Sequence, residues 1–101
     1  MEKLIQKRGK TLFVHIPKEV DHCFADAVRE EVDRRLQLED IQKLEFDFTN
    51  TEFMDSSGIG VVIGRSKTMR FRSGTITVTG VGKRVDTILR SAGLYQLLQT
   101  K

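Results

Sequence analysis

The residue types with chemical potential are concentrated in one string, Phe53-Met54-Asp55-Ser56-Ser57-Gly58-Ile59-Gly60, where an acid and two hydroxyls stand directly before two glycines. Hydroxyls so placed either accept a modifying group or cap a helix by taking a bond from an otherwise unpaired N–H, and Asp55, Ser56 and Ser57 all qualify as caps. Other chemistry is poorly supported. His22 and Cys23 are neighbours on a segment with helical periodicity, so their side chains should diverge by about 100°. His15 stands alone on a strand, and neither a metal-ligand set nor a nucleophile-base-orienter trio is visible, so no metal and no catalytic residue is expected. Gly82-Lys83 has the ending of a phosphate-binding loop, but Thr77 stands where that loop needs glycine and Arg84 where it needs Ser or Thr. Gly58, Gly60 and Gly64 also miss the G-x-G-x-x-G spacing of a dinucleotide site, so no cofactor is expected.

The elements that must position this string follow from periodicity. Leu12, Val14 and Ile16 alternate in Thr11–Ile16, and Leu4–Arg8 can pair with them through Gly9-Lys10, which predicts a starting hairpin. Phe24, Val28, Val32 and Leu36 recur every four residues, joined by Ala27, so Asp21–Leu38 reads as an amphipathic helix with Asp21 as its N-cap. Lys43–Thr49 returns to period two through Leu44, Phe46 and Phe48 and leads to a turn at Asn50-Thr51. Ser56–Arg72 suits a second helix with an inward stripe of Ile59, Val62, Ile63 and Met69, which puts Val61 on the surface. Arg65, Lys67, Arg70 and Arg72 read as its solvated, cation-rich end, complementing the carbonyl-rich C-terminus. Gly74 ends the connection before a strand at Thr75–Thr79, and Val85, Ile88, Leu89 and Ala92 mark a third helix closed by Gly93. The segment Leu94–Lys101 has no clear pattern.

Strands alternating with helices imply an α/β domain with a mostly parallel central sheet of about four strands, the starting hairpin at one side. Because the strands alternate, helices should lie mainly on one face, with Phe13 and His15 on the less covered one. The 101 residues suit a single domain spanning 1–101, and 39% apolar residues suffice for a core. The net charge of +3 is spread along the chain, which gives no footprint for nucleic acid. No apolar run is long enough to cross a membrane, the first ten residues are charged, and Cys23 is the single cysteine, so a cytoplasmic protein without disulfides is expected.

The string F-M-D-S-S-G-I-G, followed by V-V-I-G-R, resembles the phosphorylation motif of bacterial anti-sigma factor antagonists of the STAS-domain family, the sporulation sigma-F type above all. Glu19-Val20-Asp21-His22 is similar to the family's approach to its first helix, with Lys18 in place of the usual glycine, and Arg84–Leu94 is similar to its late helix ending in S-x-G-L. The resemblance implies a STAS-like α/β domain that binds a kinase-type anti-sigma factor and releases the sigma factor, in sporulation or in a stress response. It also implies that the kinase inactivates the antagonist by phosphorylating a serine and that a serine phosphatase resets it. The acceptor so implied is Ser56, with Ser57 in a structural role. Asp55, Gly58 and Gly60 would shape the site, Glu19 and Asp21 would form an acidic edge facing a basic partner, and Val61 and Arg65 are further contact candidates. A non-switching scaffold of a stressosome-type assembly is the alternative that the resemblance leaves open.

Overall fold

The computed structural model of the protein describes residues 4–96 and 98–100. The first two segments form the expected antiparallel hairpin of β1 (Ile5–Arg8) and β2 (Thr11–His15), turned at Gly9 and Lys10. They are followed by β3 (Glu19–Val20), α1 (His22–Leu38), β4 (Lys43–Asp47), β5 (Phe53–Met54), α2 (Ser56–Phe71), β6 (Thr75–Thr79), α3 (Lys83–Ser91), a 3-10 turn at Leu94–Gln96 and β7 (Gln99–Thr100). The main sheet runs β1-β2-β4-β6-β7, parallel from β2 onward, while β3 and β5 pair in a separate two-stranded sheet. The hairpin and the mostly parallel sheet are as the alternation requires. The short strands β3, β5 and β7 carry too little pattern to be read in advance.

One sheet face carries the core. Leu12, Val14, Leu44, Phe46, Ile76 and Val78 are almost wholly buried, and each such side chain is worth about 1.5–3 kcal/mol against exposure. Helix α1 covers them with Ala25, Val28, Val32 and Leu36. Ala27, assigned to this stripe from spacing, is exposed, because the buried face turns toward Ala25 instead. The opposite face is less dry: Phe13 and His15 are half-buried there, with the Arg8 guanidinium 5.4 Å from the Phe13 ring centre.

Helix α2 departs most from expectation. Its buried residues include Val61, Val62 and Met69, whereas Ile59 and Ile63 are only half-buried, so Val61 is a core residue and not a surface one. The cation-rich end is also not uniformly solvated. Arg72 reaches across to α1 and donates from Nη1 to Leu36 O at 2.6 Å, in the last turn of that helix, and from Nη2 to Ile41 O at 3.3 Å, in the connection that follows it. Lys67 and Arg70 are exposed as expected.

The 3-10 turn is locked onto α3 by Tyr95, whose hydroxyl donates to Asp86 Oδ1 at 2.6 Å while Arg90 Nε donates to Asp86 Oδ2 at 2.9 Å. Burial, and then the bond to Asp86, push the Tyr95 phenol up to about 12. Raised above its unfolded value of 10.0, this group stabilises the fold fully below that pH, and the contribution disappears as pH rises through about 12. Tyr95 is the single tyrosine and tryptophan is absent, so phenolate absorbance reads it alone. Its midpoint should lie well above that of free tyrosine and move down in Asp86→Asn; a midpoint at the ordinary value would show that the contact does not persist in solution.

Candidate functional site

The two-stranded sheet builds the site by joining segments distant in sequence. Lys18 O accepts from Glu52 N at 2.8 Å and Phe53 N at 3.1 Å, Val20 O accepts from Asp55 N at 3.3 Å, and Glu19 lies in register with Phe53. This pairing sets the N-termini of α1 and α2 side by side, with Glu19 and Asp21 next to the Asp55-Ser56-Ser57 string. Lys18 points its ammonium to Glu52 at 3.3 Å, an exposed pair.

Three residues competed for the cap of α2, and Asp55 holds it. Its Oδ1 accepts from Ser57 N at 2.8 Å and Gly58 N at 3.4 Å, two of the donors that the first turn leaves unpaired. Asp21 caps α1 in the same manner, taking a 2.9 Å bond from Phe24 N. With capping assigned to Asp55, the Ser56 hydroxyl is left exposed at the first helical position and makes no hydrogen bond among the described residues. Ser57 is half-buried. Asp55→Ala should destabilise the protein by about 0.5–2 kcal/mol, as loss of an N-cap does, and a thermal melt checks this. Asp55→Asn, which keeps an accepting oxygen, should recover most of the loss.

The remaining candidates divide by orientation. Gly58 is buried, and a Cβ there would collide with the Met54 side chain and lie 3.2 Å from Val20 Cγ1, so this glycine permits α2 to press on the small sheet beneath it. Gly60 is exposed with open space around it. Val61 is 7% exposed and Arg65 8%, so neither presents a free surface, and the solvated reading of Arg65 is corrected. Arg65 Nε lies 3.0 Å from Asp33 Oδ1, an ion pair between α2 and α1 whose angle falls short of a hydrogen bond, and its Nη1 is buried without a hydrogen-bond partner among the described residues. Burial lowers the guanidinium's proton affinity, and Asp33 opposes that.

Phe53 was not singled out from sequence, yet it is 51% exposed beside Glu19. Its signal was the alternation of a two-residue strand, Phe53 outward and Met54 inward, too short to stand out. The histidines also behave differently from expectation. His15 Nδ1 is 3.0 Å from Asp47 Oδ2 across the β2–β4 register. Burial works to raise the Asp47 carboxyl, but bonds from Thr49 and His15 outweigh it and hold the pKa below the ordinary value. Cys23 Sγ lies 3.5 Å from His22 Nε2, so these two side chains do meet, on an exposed helix end. Among the described residues no cluster of three or more His, Cys, Asp or Glu side chains could hold a metal ion, and no helix is long and apolar enough to cross a membrane.

Residues 2–101 match the STAS domain. The chain belongs to the STAS-domain family. It is 33% identical over 87 residues to the anti-sigma F factor antagonist of Paenibacillus polymyxa, covering 86% of this chain and 74% of that one. It is 27% identical over 88 residues to the anti-sigma-B factor antagonist of Listeria monocytogenes, covering 87% of this chain and 76% of that one. The anti-sigma factor antagonist SpoIIAA in its unphosphorylated form superposes with a TM-score of 0.87 at 20% identity over 96% of this chain and 85% of that one. The phosphorylated form of SpoIIAA, described as a Bacillus cell fate determinant, gives 0.80 at 19% identity, over 96% and 88% of the two chains. The resemblance carried by the D-S-S-G string and the STAS-like fold are thus both borne out, with an anti-sigma F and an anti-sigma-B factor antagonist among the relatives.

Proposed function

We propose that this STAS domain is an anti-sigma factor antagonist whose unphosphorylated form binds a kinase-type anti-sigma factor and which is switched off by phosphorylation of Ser56. The observation that carries the reading is the free Ser56 hydroxyl: Asp55 performs the capping, so Ser56 can be modified without the helix losing its cap. Phosphate would add about -1.5 to -2 charges and three acceptor oxygens at that point. The α2 N-terminus favours an anion by about 0.3–1 kcal/mol while Asp55 repels it, so the fold itself should change little. Contact with a partner responds differently, because burying a doubly charged group beside Asp55 without an opposing cation costs several kcal/mol.

The chain acts here as a protein-binding module and not as an enzyme, with Mg-ATP and the base supplied by the kinase and the phosphate removed by a serine phosphatase. Glu19 and Asp21 form an acidic rim suited to a basic partner surface, and Ser57 and Gly60 lie on the same helix start. Gly58 shapes the site from beneath, and Val61 and Arg65 support α2 from within. To test the reading, the purified protein is incubated with source-cell lysate and Mg-ATP, and phosphate is mapped by mass spectrometry beside a Ser56→Ala control. Phosphate on Ser56 in the wild type alone is the expected result. Phosphate on Ser57 would overturn the residue assignment, and an unmodified protein in a lysate active on other substrates would favour a constitutive scaffold.

A further inference from the structure

The far end of α2 presents a second surface. The described chain leaves three large hydrophobic side chains well exposed, and two of them, Phe71 at 93% and Leu38 at 70%, stand at the C-terminal ends of α2 and α1. Phe71 borders an open groove between these helices, which Leu36, Gln37 and Lys67 also line. Ser56 and Phe71 are fifteen residues apart on one helix, about 22 Å at 1.5 Å per residue, so the groove is separate from the Ser56 site.

The charges around the groove say what would fit it. Arg29, Arg34 and Arg35 of α1 are each paired with a carboxylate on their own helix or at its end. The groove's own acid, Asp33, is already engaged by Arg65. Lys67 and Arg70, by contrast, have no carboxylate partner among the described residues; Lys67 lines the groove four residues before Phe71, and Arg70, three residues after Lys67, flanks it on the side away from Phe71. We infer that this groove docks an acidic, amphipathic segment of a partner protein, an apolar side chain packing on Phe71 and carboxylates meeting Lys67 and Arg70. A second copy would bring the same unpaired cations against themselves, which disfavours it. The inference does not rest on the Ser56 reading, since the two surfaces could be occupied together.

The test uses the full chain and two labelled synthetic amphipathic peptides sharing a leucine face, one with glutamates on its polar face and the other with lysines. Fluorescence anisotropy should show binding of the glutamate peptide, weakening with salt, and none of the lysine peptide. Phe71→Ser and the double variant Lys67→Glu/Arg70→Glu should each weaken binding about tenfold or more, while Ser56→Glu leaves it unchanged. Because Phe71 and both cations are exposed, unchanged melting temperatures would confirm that the variants are folded. Equal binding of both peptides, no binding of either, or indifference to Phe71→Ser would overturn the inference. So would self-association abolished by Phe71→Ser, which assigns the face to a second copy, or adsorption to phosphatidylserine vesicles without peptide binding, which assigns it to a lipid surface.

Discussion

Ser56→Glu is expected to bind the anti-sigma factor kinase about a hundredfold more weakly than the wild type while melting at nearly the same temperature, a loss of ~3 kcal/mol at the interface. The two halves of this result come from different environments of one side chain. In the free protein Ser56 is exposed at the first position of α2, where a carboxylate meets water and the positive end of the helix. A surface substitution there should change stability by no more than about 0.5 kcal/mol. In the complex the same carboxylate would be desolvated close to Asp55, with Glu19 and Asp21 adding negative charge at the neighbouring helix end.

Ser56→Ala separates charge from loss of the hydroxyl. Since that hydroxyl has no hydrogen-bond partner among the described residues, alanine should leave both folding and kinase binding near wild type and remove only the proposed phosphorylation. Titration calorimetry of the three proteins against the purified kinase decides the matter. Equal affinity of Ser56→Glu and wild type would place Ser56 outside the interface and sink the switch, whatever the phosphorylation assay gives. Weak binding of Ser56→Ala would instead mean that the hydroxyl itself is a contact.

The features legible in sequence are those with several periods to average over. Thr75–Thr79 emerges as β6 over the same residues, and α1 follows its four-residue repeat with a single residue misassigned. Helix α2 was misread at its face because Ile59, Val61, Val62 and Ile63 are apolar in nearly every direction around the axis, so periodicity cannot choose among them. The inward face includes Gly58, where a side chain would meet Met54 and Val20, a constraint that apolar periodicity does not register. Arg65 shows the same limit for charge. Its burial depends on Asp33 from another helix, a pairing that no window along α2 contains. At the site, the resemblance pointed to Ser56, but only the bonds of Asp55 reveal why that hydroxyl is free. The neighbourhood of Glu19 and Phe53 arises from a two-residue pairing with no signature of its own.

The largest stability loss from a one-methyl change is expected at Gly80. It has φ +65, a conformation that costs an L side chain about 1–2 kcal/mol. Beyond that strain, a Cβ would collide with Thr49 Oγ1 and lie 2.8 Å from Thr49 Cα and N, and backbone atoms cannot swing aside as a flexible side chain would. Thr49 is itself held, its N–H donating to Asp47 Oδ1 at 2.9 Å, while Phe48 N donates to Thr79 O at 2.8 Å and ties the two loops together. Strain and overpacking together should cost Gly80→Ala about 3 kcal/mol, or about 12–24 °C in melting temperature for a domain of this size. Gly9→Ala supplies the control, since Gly9 has φ +60 but nothing within 4 Å of the added atom, and should lose only the conformational part, about 1 kcal/mol. Equal losses in the two variants would mean that the Thr49 contact relaxes freely. A larger loss at Gly80, partly recovered by also changing Thr49→Gly, would locate the cost in that contact. The consequence reaches the Ser56 site, because Thr49 lies in the loop that leads to β5 and the Asp55 cap, and displacing it should move the frame on which Ser56 is presented.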